Sequence, residues 1–176
     1  MTVAEIPWSV PVRLDEVSDA GKQVTLEANE ATRAALARPA GVEAVERLTA
    51  TLDLMPRGRD GLHVTGRVTG AVRQICVITL EPVVNQIDEE VDVTFAPPDE
   101  AALADEDKVQ GTLSEGPEPL VNGGVDLGAL ATEYLILGID PHPRKPGATF
   151  APPPVEGVAH PFAGLAALAK KGTVKD

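Results

Sequence analysis

The stretch from Val42 to Val72, VEAVERLTATLDLMPRGRDGLHVTGRVTGAV, decides the fold. Before Pro56 its even positions are Val42, Ala44, Leu48, Ala50, Leu52 and Leu54, interrupted only by Glu46. The odd positions Glu43, Arg47, Thr49, Thr51 and Asp53 are polar. Side chains on a strand alternate between faces, so this pattern predicts a half-buried strand. Residues 56–61 then supply turn chemistry ending in Asp60-Gly61. Alternation resumes with Leu62, Val64, Val68 and Val72 inward and His63, Thr65, Arg67, Thr69 and Arg73 outward. Two such strands around a turn make a β-hairpin. Gly66 and Gly70 fall on the inward face, which predicts a bulge or strong bend there.

A third strand is expected from Val83 to Phe95. Ile87, Val91, Val93 and Phe95 share one face, and Asp88, Glu90 and Asp92 share the other. Antiparallel pairing with the second hairpin strand would bring those acids near Arg67 and Arg73. Upstream, Ser9 to Val12 and Gln23 to Glu27 read as short strands. Asn29 is a candidate N-cap for a helix that Pro39 and Gly41 stop. Downstream, Asp126 is a second N-cap. Leu127, Leu130, Tyr134 and Leu137 recur at helical spacing until Gly138 and Pro141, a stripe that should pack on the sheet. The fold class is therefore α+β: one β-rich domain around an antiparallel meander, with a few short helices.

Two segments differ in composition. Residues 97–124 are acidic, contain Pro and Gly and have few large apolar side chains, so they are expected to be a mobile loop. Residues 141–176 form a Pro-rich tail that ends in a short amphipathic run, with Phe162, Leu165 and Leu168 before Lys170 and Lys171. The domain itself is drawn at 1–140.

Of 176 residues, 43% are hydrophobic, enough to form a core, while aromatics are only 3%, which leaves that core to aliphatic side chains. Cys76 is the one cysteine, so no intrachain disulfide forms. The N-terminus shows no basic region followed by an apolar run, and no stretch reaches the ~20 apolar residues of a membrane helix. A cytoplasmic protein is the expectation. The net charge of −12 is unevenly spread, because residues 81–140 hold fifteen Asp/Glu against one Lys/Arg. Residues 1–80 hold ten against nine and so do not repel phosphate.

Catalytic and metal chemistry find little support. Cys76, His63, His142 and His160 lack paired ligand spacing, so no metal is expected. A nucleophilic Cys76 would need a base, and His63 could lie nearby on the hairpin, but a small hydrophobe at a strand end explains the residue as well. None of the common hydrolase, nucleotide-binding or zinc-protease motifs appears. No cofactor is expected. The basic residues Arg47, Arg57, Arg59, Arg67 and Arg73 offer either a phosphate-contacting stripe or partners for the third strand's acids. No aromatic residues interleave them for base stacking.

After the strand GRVTGAV, residues 76–82 read CVITLEP. The order of Gly70, Ala71, Cys76, Leu80, Pro82 and Phe95 resembles the YceD family, the large ribosomal RNA subunit accumulation proteins, formerly a domain of unknown function. VDLGALATEYLILGIDPHPRKPG extends the resemblance through Asp126, Leu127, Glu133, Leu135 and Leu137, with Pro141 and Pro143 after them. HPFAGLAALAKK is a third match. Thr79 stands where many members have a second Cys, so a family role built on a Cys pair does not carry over. The resemblance implies a non-enzymatic role in 23S rRNA accumulation or processing and large-subunit assembly. Its partners would be ribosomal RNA or a pre-50S particle, met by the arginines, with the acids of 81–124 pointing away or engaging a basic protein. An adaptor that recruits basic ribosomal or RNA-processing proteins is the alternative.

Overall fold

The computed structural model describes residues 7–99 and 116–150. In chain order its elements are β1 (Pro11–Arg13), β2 (Lys22–Glu27), α1 (Glu30–Ala37), β3 (Ala44–Arg57), β4 (Gly61–Ile75), β5 (Pro82–Ala96), β6 (Glu118–Pro119), β7 (Gly124–Asp126) and α2 (Leu127–Leu137). Strands β2-β3-β4-β5-β6 form one sheet in that order, and β1 pairs with β7 in a small second sheet. Pairing is antiparallel throughout except between β5 and β6, which makes the main sheet mixed. The chain is thus an α+β domain built on a meander, as the alternation implies.

One face of the sheet is the core. Leu48, Leu52 and Leu54 of β3, Leu62, Val64, Val68 and Val72 of β4, and Val91 of β5 are essentially inaccessible. Each such side chain contributes roughly 1.5–3 kcal/mol through burial. Leu36 of α1 and Leu127, Leu130, Ala131 and Leu135 of α2 complete the cluster. Both helices start where capping residues stand. Asn29 accepts the Thr32 N–H, and Asp126 accepts the N–H groups of Gly128 and Ala129.

The Glu46 interruption has a structural cause. The β3–β4 register shifts between Val45 and Arg47, a bulge that inserts one residue. Val45 is buried while Ala44 and Val42 are only half-buried, so the inward phase expected from Val42 and Ala44 is corrected at that point. Of the bulge or strong bend expected at Gly66 and Gly70, the bulge is not formed, since no register shift occurs there. Gly66 instead has φ +148°, and a Cβ on it would lie 2.1 Å from the Thr51 carbonyl oxygen. Gly70 makes room for the helix, since a Cβ there would lie 3.1 Å from Leu135 Cδ1.

The segment expected to be mobile begins to depart from that reading at residue 116. Residues 100–115 lie outside the described residues, but Glu118 and Pro119 pair with Phe95 and Ala96, and Leu120 is buried. A single Leu in an acidic, Pro-rich context carries little pattern, which is why composition hides this return to the sheet. The chain also stays docked past residue 140. Pro143 and Lys145 bond to the Cys76 turn, so the folded unit runs beyond the boundary expected there. The amphipathic run at 162–171 lies outside the described residues.

Candidate nucleic-acid interface

The outer face of the sheet gathers the arginines, because odd positions of β3 and β4 point away from the core. Register places Arg47 opposite Ala71 and Ala71 opposite Gln86, and Arg47 donates across to Gln86 Oε1 at 3.2 Å. Arg57 donates to Thr94 Oγ1 at 2.6 Å. Both partners are neutral, so both charges remain uncompensated by these bonds. Arg59 is exposed on the three-residue turn between β3 and β4 and has no hydrogen bond or ion pair among the described residues. Gly58, beside it, holds φ +66° and closes that turn.

The other two arginines are neutralised. Arg67 Nη1 lies 2.6 Å from Asp88 Oδ1, as the expected strand pairing requires. Arg73 pairs with Glu46 and not with the β5 acids. The register sets Val84 opposite Arg73, whereas the bulge turns the Glu46 side chain outward beside it. His63 lies 2.8 Å from Asp92. Asp88, Glu90 and Asp92 therefore share the face that carries the arginines. The expectation that the acids of 81–124 point away fails for these three, because β5 is the next strand of the same sheet. The face is mixed in charge, with its uncompensated cations concentrated toward Arg57 and Arg59 at the hairpin tip.

A second locus surrounds Cys76 at the opposite end of β4. Its side chain is fully buried, and Sγ accepts the N–H groups of Lys145 at 3.3 Å and Thr79 at 3.4 Å. The Lys145 N–H, then the Thr79 donors, hold the thiol down at about 6 against burial, which works the other way. The turn is closed by Leu80 N–H to the Cys76 carbonyl at 3.0 Å and by Cys76 N–H to the Glu81 carbonyl at 2.9 Å. Leu80 pays for this closure with φ +58° and leaves its side chain 75% exposed. Lys145 Nζ lies 2.8 Å from Glu81, and the bond holds the Glu81 carboxyl below its ordinary range. His63 stands at the start of β4 and Cys76 just past its end, about 40 Å apart along the strand. The suggested His63 neighbour for a nucleophilic Cys76 is thereby corrected. Among the described residues no three His, Cys, Asp or Glu side chains converge on a metal-sized site.

The remaining residues of the family pattern are spread through the fold. Gly70 lies under α2, Asp126 caps it, Leu127 is fully buried, and Pro82 opens β5 opposite Ile75. Glu133 is exposed on α2. These residues do not converge with the arginines on one surface. Lys145, Glu81 and the buried Gln74 were not singled out by sequence reasoning. Gln74 donates to the Asp140 carbonyl at 2.8 Å and accepts from Asn85 at 2.8 Å. No local pattern announces such contacts.

A family model described as large ribosomal RNA subunit accumulation protein YceD matches residues 64–169. The chain belongs to that family. The family's name implies a role in accumulation of the large ribosomal RNA. No curated protein and no solved structure matches the chain. Among the described residues no helix is long and apolar enough to cross a membrane.

Proposed function

We propose that this protein is a non-enzymatic, cytoplasmic ribosome biogenesis factor that supports 23S rRNA accumulation and large-subunit assembly. The family match over residues 64–169 carries the reading. Contact with ribosomal RNA, or with a pre-50S particle, is made through the hairpin tip. There, among the described residues, Arg57 bonds only a hydroxyl and Arg59 is exposed, which leaves both cations to phosphate. Arg47, bonded to an amide, extends this stripe along β3, while Arg67 and Arg73 serve the sheet through their acid partners. Binding of purified protein to 23S rRNA fragments across a salt series tests direct contact, which must weaken steeply as salt rises.

One observation favours a second reading. Asp88, Glu90 and Asp92 stand on the same face and outnumber the basic side chains bonded to them among the described residues, Arg67 and His63. An adaptor that engages a basic ribosomal or RNA-processing protein would use those carboxylates. Neutralising them separates the two readings, since RNA binding would then be equal or tighter while a basic partner would be lost.

A further inference from the structure

A groove of about 780 Å³ opens between the end of β5 and α2, a size typical of ligand-sized clefts. Val93 and Phe95 form one wall, and Leu130, Tyr134 and Leu137 of α2 form the other. Residues 130, 133, 134 and 137 are a single helical stripe, so the groove runs along α2. Leu137 is 68% exposed, a large apolar side chain left facing water at the end of that stripe. Asp92, Glu118 and Glu133 line it as well, and among the described residues no Lys or Arg does.

We propose that the C-terminal run holding Phe162, Leu165 and Leu168 seats in this groove, with Lys170 and Lys171 against its carboxylates. The run has apolar residues spaced by three and is followed at once by two cations. That order complements a groove that sets the exposed Leu137 and other apolar wall residues beside Asp92, Glu118 and Glu133. The chain reaches the groove. Lys145 is tied to Glu81, twelve residues before Val93 and so about 40 Å away along β5. Lys145 to Ala148 forms a turn, and the fourteen positions from Ala148 to Phe162 span roughly 43 Å when extended. The family match also runs on through the apolar run to residue 169, so the family unit includes it. Residues 100–115 end beside Gly116 at the groove, but their five acids against one Lys make them a like-charged occupant. Covalent tethering makes the tail a high-concentration ligand without demanding strong contacts. The inference does not depend on the RNA reading.

Amide exchange on the full chain tests this seating. Compared with the unaltered chain, Phe162→Asp/Leu165→Asp should speed exchange of the α2 and Val93–Phe95 amides several-fold. The β3 core amides, from Leu48 to Leu54, should keep their protection and so report an intact fold. Glu133→Lys should speed the same α2 amides, and adding Lys170→Glu/Lys171→Glu should restore them. Unchanged α2 exchange in the Phe162/Leu165 variant would overturn the proposal. Protection lost only on deleting residues 100–115 would overturn it in favour of that segment. Protection lost only on dilution would overturn it in favour of a second copy of the chain.

Discussion

The Asp126 carboxylate accepts the backbone N–H of Val10 at 2.8 Å while it caps α2. One side chain thus fastens the N-terminal segment to a helix 116 residues further along the chain. Ser9 Oγ donates to the same group. Asp126→Ala should destabilise the domain by about 1–2 kcal/mol, the cost of losing a cap, with the Val10 N–H left to find another acceptor. Urea unfolding measures it. Asp126→Asn keeps a competent cap and should cost less.

The same residue should shape the acid limb of stability. Partial burial alone would raise its carboxyl, but donors from Ser9, Val10, Ala129 and Gly128 outweigh that and hold it below the ordinary range. Because the folded-state value lies below the unfolded one, this stabilisation is fully present above the ordinary carboxylate range. It is lost as pH falls through the lowered value. Asp126→Asn should flatten the dependence of the unfolding midpoint on pH below about 4. An unchanged acid limb would show that other carboxyls govern it.

Cys76 gives a dependence in the alkaline direction. Its thiol is held at about 6, with the Lys145 N–H the largest cause. The unfolded thiol titrates near the ordinary ~8.5, so stability should rise with pH between those two values and fall back as pH drops through the lower one. Cys76→Ser should lower Tm by a few degrees at neutral pH and remove that rise. Ultraviolet absorbance of the thiolate, followed with pH, reports the folded-state titration. Alkylation should nonetheless be slow in the folded chain, because the side chain is fully buried.

Gly66 and Gly70 separate two reasons for a glycine on one strand. At Gly66 a Cβ meets the Thr51 carbonyl at 2.1 Å with φ at +148°, so both sterics and backbone oppose a side chain. Gly66→Ala should cost about 2–3 kcal/mol. At Gly70 the nearest atoms are the Arg47 carbonyl oxygen and Leu135 Cδ1, each at 3.1 Å, so a small shift of α2 can relieve half of the conflict. Gly70→Ala should cost less than half as much. Thermal unfolding of the pair ranks them.

These glycines also show where sequence reading succeeds and where it stops. Period-two alternation records which face of β3, β4 and β5 is buried, so strands, hairpin and inward glycines are all visible locally. Even the bulge leaves a mark, as the misplaced Glu46. Helix starts are visible because Asn29 and Asp126 bond to their own next turn. By contrast, the bonds of Cys76 and Glu81 to Lys145 span 69 and 64 residues, and Gln74 reaches 66 residues to Asp140. No periodicity encodes such pairings. The candidate interface was half legible for the same reason. Outward arginines follow from alternation, but which of them keep an uncompensated charge depends on register and on the bulge beside Arg73.

That distinction yields the functional prediction. Arg57 and Arg59 at the hairpin tip have no acid partner among the described residues, whereas Arg67 is 2.6 Å from Asp88. Arg57→Glu/Arg59→Glu should weaken binding to 23S rRNA fragments or pre-50S particles and lower the salt slope by about one to two. Circular dichroism should show the fold intact, since both residues are exposed. Arg67→Glu should weaken RNA binding less, because its charge is already spent on Asp88, yet it should destabilise the sheet more. Asp88→Asn/Glu90→Gln/Asp92→Asn should leave RNA binding equal or tighter. In cells lacking the protein, mature 23S rRNA should fall relative to 16S, and unfinished large subunits should accumulate. The tip variant should fail to restore the ratio where the unaltered chain succeeds. If the tip variant restores it fully and the acid variant does not, the adaptor reading replaces direct RNA contact. A normal rRNA ratio in the deletion would remove the ribosomal reading altogether.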